Sequence, residues 1–257
     1  MPKFAANLTF LFTELPFLDR FQAAKNAGFE AVEYMSPYEF DKHDLKARLV
    51  RYGLKQVLHN LPVADWAAGG RGLVIFPERK DEFRNGVSAA IEYAKALGCQ
   101  KINCLSGIAP EGRDRQELHA TAVENLRFAA GELGKHGIKL LIEPINHYDI
   151  PRFFLHTVEQ AAEILKDVAS DNLFIQYDLY HQQRTRGELL ATYLAFKERI
   201  AHIQLADNPG RNEPGTGEIN YFYLFPALAA AGYDGWIGCE YKPKSTTEAG
   251  LGWLKKY

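Results

Sequence analysis

The sequence predicts a single-domain (β/α)8 barrel of the TIM type, on three observations. The chain has 257 residues, close to the ~250 typical of that architecture. Eight short apolar runs, rich in β-branched or aromatic residues, alternate with amphipathic stretches in the pattern of βα units. No Pro/Gly/Ser-rich linker, charge block or short-period repeat divides the chain, so one domain over residues 1–257 is expected.

The expected strands are Phe4–Phe10, Ala31–Met35, Gln56–Asn60, Lys101–Leu105, Ile138–Glu143, Leu173–Asp178, His202–Ala206 and Trp236–Tyr241. Helix signals lie between them. Thr157 to Gln160 reads as a capping box, followed by Ala161, Ile164, Leu165 and Val168 on one face. Leu118, Ala122, Leu126, Ala129, Ala130 and Leu133 make a similar stripe, with Gly137 placed to end the unit before the next strand. Gly28, Gly53 and Gly98 sit at comparable helix-to-strand joints. Asn220 is a candidate cap for a helix running to Gly232, in which Pro226 should produce a kink or a later start. An open doubly wound sheet is the alternative, but it should carry a phosphate loop after an early strand. The chain has neither GxGxxG nor GxxxxGK.

Composition narrows the function classes. Hydrophobic residues make up 47% and charged residues 24%, ordinary values for a globular protein with a sizeable core. A formal net charge of −2 gives no general attraction for nucleic acid or an anionic membrane. Cys99, Cys104 and Cys239 are too few and scattered for a disulfide framework or a CxxC zinc site, and read as buried thiols in a reducing compartment. The opening MPKFAANLTFLF lacks the charged start, long apolar stretch and cleavage site of a leader, and nothing approaches the ~18 apolar residues of a membrane span. A cytoplasmic enzyme with no nucleic-acid or membrane partner is expected. The oligomeric state stays open, a homo-oligomer included.

In a barrel, the C-terminal strand ends line the active-site mouth. Four consecutive runs end there in oxygen-bearing side chains: KLLIE at Glu143, FIQYD at Asp178, HIQ at Gln204 and GCE at Glu240. One rim carboxylate is ordinarily just solvated. Three converging carboxylates would repel one another by several kcal/mol at an effective dielectric of ~20 unless a cation neutralised them. A metal site is therefore expected. Three carboxylates and an amide oxygen suit Mg²⁺ or Mn²⁺ better than zinc, and no HExxH or Cys/His cluster argues otherwise.

Further rim candidates are Glu33, His59 and His181, the latter two as substrate contacts, and the loop DNPGRNEPGTGE at 207–218, which contains Glu213. Arg211 in that loop offers a bidentate fork to a substrate carboxylate. His181, Arg211, Glu213, Lys242 and His59 form the expected substrate-binding set. For His181 and Arg211 the ordinary alternative is a solvated surface side chain. Gly215, Thr216 and Gly217 could present backbone N–H groups to an anion, and His147 and His202 receive no role.

Long motifs around these residues carry a family resemblance. EPINHYDIP, IQYDLYHQQR, HIQLADNPGRNEPGTGEINY and GWIGCEYKP resemble the hydroxypyruvate isomerase family of xylose-isomerase-like TIM barrels, whose wider group includes tagatose- and psicose-type epimerases. The resemblance runs from FAANLTFLF through LHNLPVADWAAG to TTEAGLGW. It implies that Glu143 and Glu240 are the catalytic acid/base pair and also metal ligands, with Asp178 and Gln204 completing the set. Many relatives in the wider group carry histidine at the position of Gln204, and its absence strengthens the case for Mg²⁺.

The implied reaction interconverts hydroxypyruvate and tartronate semialdehyde, moving a proton between C3 and C2 through an enediolate stabilised by the metal. A second proton moves between the two oxygens, and His59 or a metal-bound water is the candidate carrier. No organic cofactor is implied. Within the family the alternative substrate is a four-carbon 2-oxo acid such as 2-oxo-tetronate, and less favoured is ketose epimerisation. A multi-metal phosphodiesterase of the apurinic-endonuclease kind would need many histidines at strand ends and a basic surface. A non-catalytic sugar-binding barrel would give no reason for converging carboxylates.

Overall fold

Each expected apolar run forms a strand in the computed structural model, which describes residues 2–64 and 66–257; Met1 and Asp65, the latter inside LHNLPVADWAAG, lie outside the described residues. The strands are β1 Lys3–Asn7, β2 Ala31–Glu33, β3 Lys55–Asn60, β4 Lys101–Cys104, β5 Lys139–Ile142, β6 Leu173–Asp178, β7 Ile200–Leu205 and β8 Trp236–Cys239. They pair in parallel in chain order and close where β8 meets β1, giving the expected barrel. Strands β5 and β8 end one residue before Glu143 and Glu240, so both glutamates stand just past the ladder, at the mouth.

The helices are α1 Arg20–Asn26, α2 Lys42–Tyr52, α3 Lys80–Leu97, α4 Arg115–Gly134, α5 Val158–Val168, α6 Leu179–Thr185, α7 Leu189–Phe196 and α8 Tyr221–Ala230. Amphipathic spacing decides which face each one buries. The stripe of α4 from Leu118 to Leu133 is buried against the barrel. The α5 cap forms through Thr157 Oγ1, which accepts from Gln160 N at 3.1 Å, while Gln160 Oε1 accepts from His156 N. Helices α2 and α3 end on Gly53 and Gly98 at φ 60° and 75°, a left-handed conformation that costs glycine little. Asn220 caps α8 by accepting from Tyr223 N, and the helix continues through Pro226. Proline leaves the Phe222 carbonyl without its helical donor, and Phe222 is exposed, so water can take that place.

Inside the barrel, Ala5, Ala31, Val57, Leu58 and Leu141 form an apolar plug toward the N-terminal ends of the strands. Side chains alternate across a strand, so the next inward positions toward the mouth are Asn7, Glu33 and Glu143. The polar site therefore rests on a dry floor. Among the described residues no helix is long and apolar enough to cross a membrane.

Candidate active site

Period-two alternation brings a polar layer to the barrel axis: Asn7, Glu33, Asn103, Gln176, Asp178, His202 and Gln204, all buried, with Glu143 and Glu240 above. Asp178 is both the last residue of β6 and the N-cap of α6. Its Oδ1 accepts from the backbone N–H groups of Tyr180 and His181 at 2.7 and 3.3 Å, leaving Oδ2 buried without a hydrogen-bond partner. Glu143 is similar: Asn103 Nδ2 donates to Oε2 at 2.9 Å, and Oε1 has no partner. Glu240 is fully held, with Arg211 Nη2 donating to Oε1 at 2.6 Å and Asn7 and Gln204 donating to Oε2 at 3.1 and 2.6 Å.

The carboxyl groups are strained electrostatically. Burial, then the charges of Glu240 and Asp178, push Glu143 well above the usual carboxylate range. Burial lifts Glu240 to about 8 despite Arg211. Burial also lifts Asp178 to about 6, opposed by Arg211 and the two backbone bonds. Unpartnered buried oxygens on two neighbouring acids are what a cation would relieve. Oxygens of Glu143 and Asp178 and a ring nitrogen of His181 all lie within 4.8 Å of one another. The residues present thus fit a divalent cation.

Arg211 is the cation already in place. Burial pulls its guanidinium down, but Glu240, Asp178, Asp149 and Glu143 outweigh this and hold it above its ordinary value. It donates to Asp149 Oδ2 at 3.3 Å as well as to Glu240, and lies over the rings of Phe10 and Tyr180, while its Nε is buried without a partner. A guanidinium so placed faces the mouth with donor capacity in reserve.

Beneath the mouth runs a network of which the sequence reading named Glu33 and Gln204 but not the connections. Glu33 is fully buried; it accepts from Asn7, from Gln204 Nε2 at 2.7 Å and pairs with His202 Nε2 at 2.7 Å. Gln204 Nε2 bridges Glu33 and Glu240. Gly238 makes room for this, because a Cβ there would come within 2.2 Å of Glu33 Oε1. The sequence signal was the isolated polar residue inside an apolar run, as in FAANL, KINCL and FIQYD.

Several expected site residues stand elsewhere. His59 does not reach the mouth. It pairs in register with Ile102, while its neighbour Asn60 pairs with the inward Asn103, so His59 faces the helix layer. There it contacts Gln56 and the Tyr38 ring, and burial lowers it to about 4. Glu33 is axial rather than on the rim. Glu213 anchors the segment after β8, accepting from Lys244 N at 2.9 Å. Lys242 is exposed, and its backbone, through N–H to Arg211 O and carbonyl to Asn212, pins the 207–218 loop. The N–H groups of Gly215, Thr216 and Gly217 do meet an anion, but it is Asp207 Oδ2 of the same loop, at 2.8–3.0 Å. Gln204 is at the site, with its Oε1 turned to Gln176 Nε2 at 2.6 Å. His181 lies beside Asp178, with Nε2 3.8 Å from Oδ2.

Residues 21–257 match the xylose isomerase-like TIM barrel family model. The chain is 55% identical over 257 residues to hydroxypyruvate isomerase of Escherichia coli, covering 100% of both. It is 47% identical to 2-oxo-tetronate isomerase of Cupriavidus necator, covering 100% of this chain and 99% of that one. A crystal structure from Brucella melitensis described as AP endonuclease, family 2, superposes with a TM-score of 0.98 at 44% identity, covering 100% of this chain and 99% of that one.

Proposed function

Because the chain belongs to the xylose isomerase-like TIM barrel family, we propose that it is an isomerase that interconverts hydroxypyruvate and tartronate semialdehyde. The observation that carries this reading is the convergence of Glu143, Asp178 and Glu240 with Arg211 at the mouth, in a chain so similar along its whole length to an isomerase of that name. Glu143 and Asp178 would hold a divalent cation, with Glu240 and Gln204 completing an oxygen set that favours Mg²⁺ or Mn²⁺. Gln204 could offer its oxygen only by giving up Gln176. When bound, the cation supplies Lewis-acid stabilisation of the negative charge that develops on the substrate oxygens.

The chain's own groups do the rest. Glu143 and Glu240 project from β5 and β8, different sides of the mouth, so one removes the C3 proton and the other delivers a proton at C2. Each presents a carboxyl group at the mouth that can carry a proton in acid–base exchange. Arg211 binds the substrate carboxylate through donors not committed to Glu240. His181, neutral because burial and then Arg211 and Arg184 hold it well below its usual value, donates to a substrate oxygen. The helix-layer position of His59 removes it as carrier of the second proton, which passes from the C3 hydroxyl to the adjacent C2 oxygen directly or through a water molecule.

The similarity to the Cupriavidus necator enzyme supports a second reading, isomerisation of a four-carbon 2-oxo acid on the same groups. Assaying the protein against three- and four-carbon hydroxy-oxo acids decides between them. The first reading expects the highest kcat/KM for hydroxypyruvate; a four-carbon acid well above it selects the second, and turnover of neither rejects both.

A further inference from the structure

The hydrogen bonds around His181 fix which of its ring nitrogens carries the proton. Asn146 is fully buried just past β5, and His181 lies in the first turn of α6. The backbone N–H of Asp149 donates to Asn146 Oδ1 at 2.9 Å. A backbone N–H can only donate, so the side-chain atom it meets is the oxygen and the other is the amide nitrogen. That nitrogen, Nδ2, lies 2.6 Å from His181 Nδ1. An amide nitrogen also only donates, so Nδ1 must present a lone pair. A neutral imidazole then carries its single hydrogen on Nε2, and a charged ring would set N–H against N–H at this contact.

Nε2 is the ring atom that faces the site, 3.8 Å from Asp178 Oδ2, with Glu143 beside it. By distance alone His181 ranks as a third ligand to a cation in this cluster. A nitrogen bearing hydrogen cannot ligate. We infer that Asn146 is a positioning residue that holds His181 as an Nε2–H donor, withholding its lone pair from the metal and directing its hydrogen to a substrate oxygen. The inference rests on the isomerase reading above for the identity of that oxygen. It gives His181 and the carboxylates distinct tasks: the acids take the cation, and the ring donates where negative charge develops. Asp149 contributes twice, through its backbone to Asn146 and through its side chain to Arg211.

Long-range ¹H–¹⁵N correlation NMR on uniformly ¹⁵N-labelled, metal-free protein reads the tautomer directly. The His181 signals are identified by their loss in His181→Gln. The expected spectrum has Nε2 protonated and Nδ1 bare. A ring protonated on Nδ1 overturns the inference, and this test needs no change at Asn146. Asn146→Asp puts an acceptor in place of the donor. It should move the hydrogen to Nδ1, expose the Nε2 lone pair, and tighten Zn²⁺ binding at least tenfold by isothermal titration. The same variant should lose about 10²–10³-fold in kcat, the usual cost of one oxyanion donor. An unchanged tautomer, or unchanged Zn²⁺ affinity with a moved hydrogen, overturns the positioning role. Failure of every substrate in the panel would instead reject the isomerase reading while leaving the ring's tautomer as inferred.

Discussion

Replacing Arg211 with alanine separates its two tasks. In the structure one arm donates to Glu240 Oε1 at 2.6 Å, another to Asp149 Oδ2 at 3.3 Å, and the plane packs on Phe10 and Tyr180. Losing these contacts affects any substrate equally, because all of them lie within the protein. Losing the partner of a substrate carboxylate affects only acids. A charge-assisted hydrogen bond is worth roughly 1.5–3 kcal/mol, so the acid-specific part should be about ten- to a hundredfold in kcat/KM. Steady-state kinetics with hydroxypyruvate and with uncharged dihydroxyacetone measure it: the ratio of the two kcat/KM values cancels the common loss. A ratio that falls by about ten- to a hundredfold supports the assignment. An unchanged ratio refutes it and reduces Arg211 to a partner of Glu240.

Three further outcomes follow from the same site. Glu143→Gln and Glu240→Gln should each fold but lose several orders of magnitude in kcat; retention of more than about a tenth under saturating metal would remove that residue from the proton-transfer pair. Gln204→His should shift metal preference toward Zn²⁺, since it brings imidazole to an oxygen set, and an unchanged ranking in reconstituted enzyme would take Gln204 out of the ligands. Thermal melts of metal-free protein should show stability falling as pH rises. Glu240 is raised from 4.5 to about 8 and Asp178 from 3.8 to about 6 in the fold, so the native state binds these protons more tightly than the unfolded chain. Their contribution is intact below the unfolded values and is lost as pH climbs to about 8. Added Mg²⁺ should therefore raise Tm more at about pH 8 than at about pH 5.5, where it competes with protons; equal increments would contradict the electrostatic account.

The barrel was legible because its strands are short, apolar and evenly interleaved with helical stripes, and all eight runs formed strands. The mouth was legible in part, because a carboxylate at the end of an apolar run can only sit where the strand meets the opening. Direction within a strand was harder. His59 and Asn60 are adjacent, and only their register against Ile102 and Asn103 shows which one turns inward. Glu33 looked like a rim residue because nothing local reveals that Gly238, some 200 residues on in sequence, vacates the space it fills. Asn7, Asn103, Gln176 and Asn146 carry no charge, and the quoted motifs that contain Asn7, Gln176 and Asn146 give no hint of their roles, so their importance emerged only from the partners the fold supplies. The 215–217 loop was legible as an anion cradle without its anion: Asp207 is close in sequence, but only the folded loop turns its carboxylate into the cradle.

In the proposed mechanism a cation relieves the unpartnered oxygens of Glu143 and Asp178 while Glu143 and Glu240 move the proton. The most direct measurement is turnover of hydroxypyruvate by protein stripped with chelator, then reloaded with one metal at a time. The stripped protein should form no tartronate semialdehyde above background, and Mg²⁺ or Mn²⁺ should restore turnover better than Zn²⁺. Full turnover by the stripped protein would contradict the account at its centre.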